Sequence, residues 1–272
     1  IAFYIHWQLM KAMSDKGYKV SISGTGADEI FTGYYDHHLF YLNEIRKDEN
    51  LFSSSLNNWK RNISPIVRNP FLQDPEHFIK SKKKNEHIYL NNEIFSDLLK
   101  NKWIEDFEHE NFTNDGLRNR MINEMFIETV PVMLHEDDLN AMYYSIENRS
   151  PFLDRGLFEF GHTIPTRHLI KDGYTKSVLR DSMRGIVSDK VLNSFQKKGF
   201  NASLKELIDF EDKDIRAMLL DDSKIFDYIK KDKIEKLFKI KNLENSYSKF
   251  LFNFINIKIF LENYLNKKYY IL

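Results

Sequence analysis

The residues best placed to do chemistry fall in one short stretch, Ser23-Gly24-Thr25-Gly26-Ala27-Asp28-Glu29. Two glycines in three positions let the backbone turn sharply and approach a ligand closely. The run Tyr18-Lys19-Val20-Ser21-Ile22 before it reads as a strand, and Ile30-Phe31 after it opens a helix. A strand-to-helix turn presents backbone N–H groups to an anion. The carboxylates of Asp28 and Glu29 add a hard oxygen site suited to Mg2+. The chemistry expected is that of a nucleotide phosphate with its metal. A plain β–α turn capped by Asp28 would carry the same residues, so the choice between the two rests on what lies downstream.

Two later blocks bear on it. In Asp138 to Asp154, Glu147 sits on an expected apolar and aromatic helix, just before Arg149 and the break at Pro151. A carboxylate desolvated there suits acid–base work; a salt link with Arg149 at the helix end is the other reading. Arg149 and Asp154 themselves are expected to be structural, with Asp154 capping a short helix over 155–161. In Tyr174 to Arg180, Lys176 occupies the first turn of an expected helix over 176–186, capped by Thr175. The helix dipole favours acidic residues at that place, so Lys176 makes sense if it reaches a phosphoryl or acyl-adenylate oxygen; a solvated lysine is the bland alternative. Lys197-Lys198-Gly199-Phe200 could cover a phosphate or form a solvated loop.

The ordered blocks SGTGADEIFTGY, DDLNAMYYSIENRSPFLD, TKSVLRDSM and KKGF resemble the synthetase half of glutamine-dependent asparagine synthetases and their β-lactam-forming relatives. The likeness covers roughly residues 1–200. It implies an ATP-pyrophosphatase-type α/β fold that adenylates a carboxylate, releases pyrophosphate and lets an amine attack the acyl-adenylate. By position, the resemblance makes Ser23, Gly24, Gly26 and Lys198 nucleotide contacts. It makes Asp28 the Mg2+ ligand, Lys176 the lysine that stabilises charge on phosphate and intermediate, and Glu147 the acid at the substrate end. The family usually has glutamate at the position of Thr25, facing an aspartyl substrate. Thr25 therefore opens the acceptor to other small-molecule carboxylates, a sugar uronate among them. An SGGxDS phosphate loop and a glutaminase domain with an N-terminal cysteine complete such enzymes and are absent from these residues. The piece alone is expected to be inactive. An intramolecular amide former and a scaffold without turnover are the alternatives.

The elements that must position these groups are mostly helical. A helix over about 1–16 stopped by Gly17, the strand at 18–22, the turn and a helix over about 28–47 form a first α/β unit, 1–47. A polar helical excursion is expected over 48–117 and a helical region over 118–272. Within the latter, Pro131 bends or ends one helix, and Asp137 or Asp138 caps the next, which runs through Asn148. No strand is expected after residue 22. The fragment is thus expected to be mostly α with a residual β-strand, and the resemblance implies that it is the C-terminal part of an α/β adenine-nucleotide α-hydrolase-like (ATP pyrophosphatase) domain. His37-His38 are read as solvent-exposed or packed and His135 to Asp138 as a cap, in neither case as metal ligands, and the Phe/Ile stripe at 250–261 as core.

Composition excludes other classes. Lys plus Arg and Asp plus Glu are both 40, which gives no electrostatic case for nucleic acid or a membrane surface. Cysteine is absent, which removes disulfides, thiolate metal sites and a thiol nucleophile. A cytoplasmic setting is expected, with ATP and Mg2+ as cofactors and a homodimer as an admissible assembly. The opening at Ile1, inside an amphipathic pattern, points to a longer polypeptide.

Overall fold

The computed structural model describes residues 1–81, 95–101, 109–197, 199, 202–240 and 245–265. It divides into two compact units, one of Ile1–Ile5, Ile88–Asp106 and Phe200–Leu272, the other of His6–His87 and Phe107–Gly199.

The second unit holds every described residue singled out above as a candidate. After α1 (Ala2–Asp15), Gly17 at φ +80° turns the chain into β1 (Val20–Ile22). Met10 of α1 is buried and packs with Ala141 and Ile146, whereas Leu9 and Ala12 are exposed. The helix expected over 28–47 is two helices, α2 (Ala27–Phe31) and α3 (Tyr35–Glu44). The break is conformational: Thr32 lies at φ 69°, ψ 160°, which no helix accommodates.

Beyond α3, α4 (Glu49–Asn62) and the short turns after it bury Trp59, Ile63, Val67, Leu72 and Phe78 in the main core with Ile30, Leu39 and Phe40. Then α5 (Gly116–Asn123) runs into a wide π turn, Glu124–Glu128, and α6 (Val130–Tyr143) follows. Pro131 begins α6 rather than ending a helix, because the first turn needs no N–H from it. Asp137 is therefore mid-helix and caps nothing.

A second strand, β2 (Glu147–Arg149), corrects the expectation of helix through Asn148 and of no strand after residue 22. It pairs with β1 in parallel, Val20 opposite Glu147 and Ile22 opposite Arg149. The molecule remains mostly helical, with only these two strands among the described residues. α7 (Arg155–Thr163) is capped by Asp154, whose carboxylate accepts the Leu157 N–H at 2.9 Å, as expected.

The first unit has its own apolar core, in which Leu251, Phe254 and Ile255 of α9 (Asn245–Leu265) pack with Leu219, Ile234 and Phe238. Ile257, Ile259 and Phe260 on the same helix are exposed, so the stripe at 250–261 is core on one side only. No helix among the described residues is long and apolar enough to cross a membrane.

Candidate active site

The parallel pair β1–β2 carries the glycine turn at its C-terminal end, where α/β sheets place ligands. The Ser23 N–H donates to Arg149 O at 2.8 Å, which extends the pairing one residue into the turn. Gly24 is exposed with open space beside it, and its carbonyl accepts the Ala27 N–H at 3.3 Å. Gly26 adopts φ +95°, and a Cβ there would strike the Leu153 side chain. The glycine turn and the Pro151–Asp154 segment thus interlock through a residue that must be glycine.

Asp28, in the first turn of α2, meets two lysines. Lys176 Nζ donates to one of its carboxylate oxygens and Lys197 Nζ to the other. Burial pushes the Asp28 carboxyl up, but the two ammonium groups outweigh it and hold it below the usual 3.8. Burial pushes the Lys176 ammonium down, with Lys197 and Arg180 adding to that while Asp28 opposes it. Two cations on one anion leave an excess of positive charge, the condition for drawing in a further anion.

Lys176 is the N-cap of α8 (Ser177–Ser182) in the left-handed conformation, φ 56°. Thr175 is not the cap, because the chain turns at Lys176 itself. The Lys176 N–H donates to Phe31 O at 3.0 Å and to Thr32 Oγ1 at 3.1 Å, tying α8 to the end of α2.

Lys197 reaches the site through a clamp that the sequence did not announce. Arg180 donates to the carbonyls of Thr175 at 2.8 Å and Ser194 at 3.1 Å, and its guanidinium lies over the Tyr174 ring. Tyr174 stacks on Phe195 with centroids 4.0 Å apart. The Lys197 ammonium also sits 4.9 Å from the Tyr34 ring centre. Lys198, expected as the nucleotide contact, lies outside the described residues.

Thr25 faces inward and is buried, and its hydroxyl is among the groups that act on the Asp137 carboxyl. Ser23 Oγ lies 3.2 Å from Thr25 Oγ1 and 2.8 Å from Ser150 Oγ. His6 Nδ1 is 3.4 Å from Asp137. Burial pushes the Asp137 carboxyl up, against the pull of His6 and of the Thr25 hydroxyl. A polar chain therefore runs from Ser150 through Ser23 to Thr25, close to the buried acid Asp137.

Glu147 is placed differently from the expectation. It is an exposed residue of β2, bonded to Arg149 Nε at 2.9 Å, and that guanidinium holds its carboxyl below the usual range. Of its two readings, the structure gives the salt link, because strand alternation turns Glu147 and Arg149 to the same open face.

Behind the site lies a buried ionic cluster formed by α3, α5 and the π turn. Arg120 bonds Asp36 at 2.9 Å, Glu124 at 2.8 Å and Glu128 at 2.7 Å, and His37 Nε2 lies 2.7 Å from Glu124. Arg120, Glu124 and Glu128 recur every four residues and so share one helical face. His37 was not legible as part of a cluster because its partners are 87 residues away. Asp36, His37 and Glu124 lie close enough to share a cation, but Arg120 already supplies charge to both carboxylates.

The chain is 26% identical over 242 residues to asparagine synthetase [glutamine-hydrolyzing] 1 of Bacillus subtilis (strain 168), a match covering 80% of this chain and 36% of that protein. It is 27% identical over 183 residues to asparagine synthetase [glutamine-hydrolyzing] 3 of the same organism, covering 67% of this chain and 26% of that protein. The chain thus spans about a third of these curated relatives or less. No solved structure matches it. The family model for asparagine synthase matches residues 2–262, and the chain belongs to that family.

Proposed function

We propose that the protein carrying this chain activates a carboxylate by adenylation with ATP and joins it to ammonia derived from glutamine. The observation that carries this reading is the Asp28 carboxylate held between Lys176 and Lys197 at the mouth of the β1 turn. Pyrophosphate departs with developing negative charge, and two preorganised ammonium groups in a partly desolvated place stabilise it. Asp28 orients both lysines until phosphate oxygens take over as their partners.

A single carboxylate beside two ammonium groups is no cage for a bare cation. It does fit Mg2+ that arrives with phosphate oxygens and retains water, as Mg2+ prefers. Asp28 would hold it, and the ion would neutralise charge on the phosphates. Ser23, Gly24 and Gly26 are the proposed nucleotide contacts, Gly24 through its exposed backbone and Ser23 through its hydroxyl. Lys198 belongs to the same proposal. Glu147 is proposed to face the acceptor only after parting from Arg149. Thr25, buried near Asp137, carries no carboxylate where the resemblance leads one to expect glutamate, which supports a substrate other than aspartate, such as a uronate. The chain is proposed to act together with a glutaminase domain, in the cytoplasm, with the homodimer as the assembly to examine.

ATP–pyrophosphate exchange by the full-length protein, run across a panel of aspartate, uronates and other small carboxylates, tests the reading. Exchange with one acceptor, abolished by Lys176→Met, is expected. Equal exchange by the wild type and Lys176→Met would overturn it.

A further inference from the structure

The Gly33–Tyr34 turn joins α2 to α3 and lies directly under the Asp28–Lys176 pair. A Cβ at Gly33 would fall on the Asp28 carboxylate, with Lys176 Nζ 2.7 Å away. Whatever fixes Gly33 therefore fixes the two charged groups. Its backbone N–H donates to His37 Nδ1 at 3.1 Å. That bond requires a lone pair on Nδ1, so the ring proton is on Nε2 and is donated to Glu124 at 2.7 Å. His37 is completely buried, and its own backbone N–H donates to Asp36 Oδ1 at 3.1 Å.

We propose that His37 is a positioning residue, whose unprotonated Nδ1 anchors Gly33 and thereby holds Asp28 and Lys176 in register.

The groups facing the ring come from every element around it. Glu124 and Arg120 lie on α5 and the π turn, Asp36 and His38 on α3, and the Tyr34 ring stands edge-on at 5.2 Å. Burial disfavours the imidazolium, but Glu124 and Asp36 outweigh it and push His37 up. The carboxylates therefore favour the proton that the Gly33 N–H opposes. Taking it up would set two N–H groups against each other, and the turn would have to move. His37 has no hydrogen bond or ion pair to Asp28 or Lys176 among the described residues, and acts on them through Gly33.

The inference uses the reading of Asp28 and Lys176 as the phosphate-facing pair, but its test does not depend on turnover. In the full-length protein, amine labelling of Lys176, followed by mass spectrometry and normalised to exposed Lys16, reads the position of the pair. His37→Asn keeps an acceptor near the Nδ1 position, whereas His37→Gln keeps the donor toward Glu124 and loses that acceptor. Lys176 labelling is expected to rise about tenfold in His37→Gln, the scale of one unmade buried hydrogen bond, and to stay within about twofold in His37→Asn. Equal labelling in wild type and a folded His37→Gln would overturn the proposal. Nitrogen-15 spectra of the wild-type ring need no variant: the Nε2–H tautomer at neutral pH supports the proposal, and a doubly protonated or Nδ1–H ring sinks it. Failure of pyrophosphate exchange with these outcomes intact would count against the function and not against the positioning role.

Discussion

Thr32 and Lys176 both hold positive φ without being glycine, at 69° and 56°, and the backbone N–H of Lys176 donates to the hydroxyl of Thr32 over 3.1 Å. A β-branched residue at such a φ is strained and persists only where its surroundings over-determine it. Here the hydroxyl, completely buried, also contacts the carbonyls of Phe31 and Leu169. Strain at these two residues is thus spent on placing the Lys176 ammonium against Asp28. Thr32→Val keeps the shape and removes the hydroxyl. It is expected to cost about 1 kcal/mol in urea unfolding and to raise Lys176 labelling.

Gly33→Ala is expected to be more damaging to the site than to the fold. Its Cβ displaces the Asp28 carboxylate and crowds the Lys176 ammonium, a collision with side-chain tips rather than with the core. Calorimetric titration with pyrophosphate and Mg2+ should show at least about tenfold weaker binding, with about 1–3 kcal/mol of stability lost to overpacking.

Asp28 sets an acid limit. Its folded carboxyl lies below 3.8, so the contribution is complete above that value and is lost as pH falls through the lower folded value. Denaturant unfolding of wild type and Asp28→Asn should therefore differ at neutral pH and converge as the pH falls below the usual carboxylate range.

His38 sets a second limit at milder pH. It is buried, and burial with the neighbouring His37 brings its ring down from 6.5 to about 3. A depressed folded value means that stability is complete above 6.5 and falls as pH drops toward about 3, because the unfolded ring takes the proton first. The expected slope is about 1 kcal/mol per pH unit across that window. His38→Leu should flatten the profile, and an unchanged slope would refute the assignment.

Thr25→Glu, which restores the residue usual in the family, should not behave as a simple reversion. The new carboxylate would enter a buried place beside Asp137, whose carboxyl burial already pushes up. A loss of about 1–3 kcal/mol is expected from two carboxyls competing for one desolvated place. The double variant with Asp137→Asn should recover most of it, as measured by thermal unfolding.

What the sequence determined by itself is local. The glycine turn, the strand before it and the Asp154 cap depend on residues within a few positions of one another. The four ordered motifs were enough to point to the family and to a mostly helical piece. Glu147 was misplaced because a three-residue strand in a polar and aromatic run has no period of its own, and pairing with Val20–Ile22 decides its conformation. The break at Thr32 was invisible because its φ is imposed by Phe31, Leu169 and Lys176, not by propensity. Lys197 meets Asp28 across 169 positions, and His37 meets Glu124 across 87. Only the tertiary structure could decide such meetings, since burial of charge is tolerated where partners arrive together, and their arrival is a property of packing.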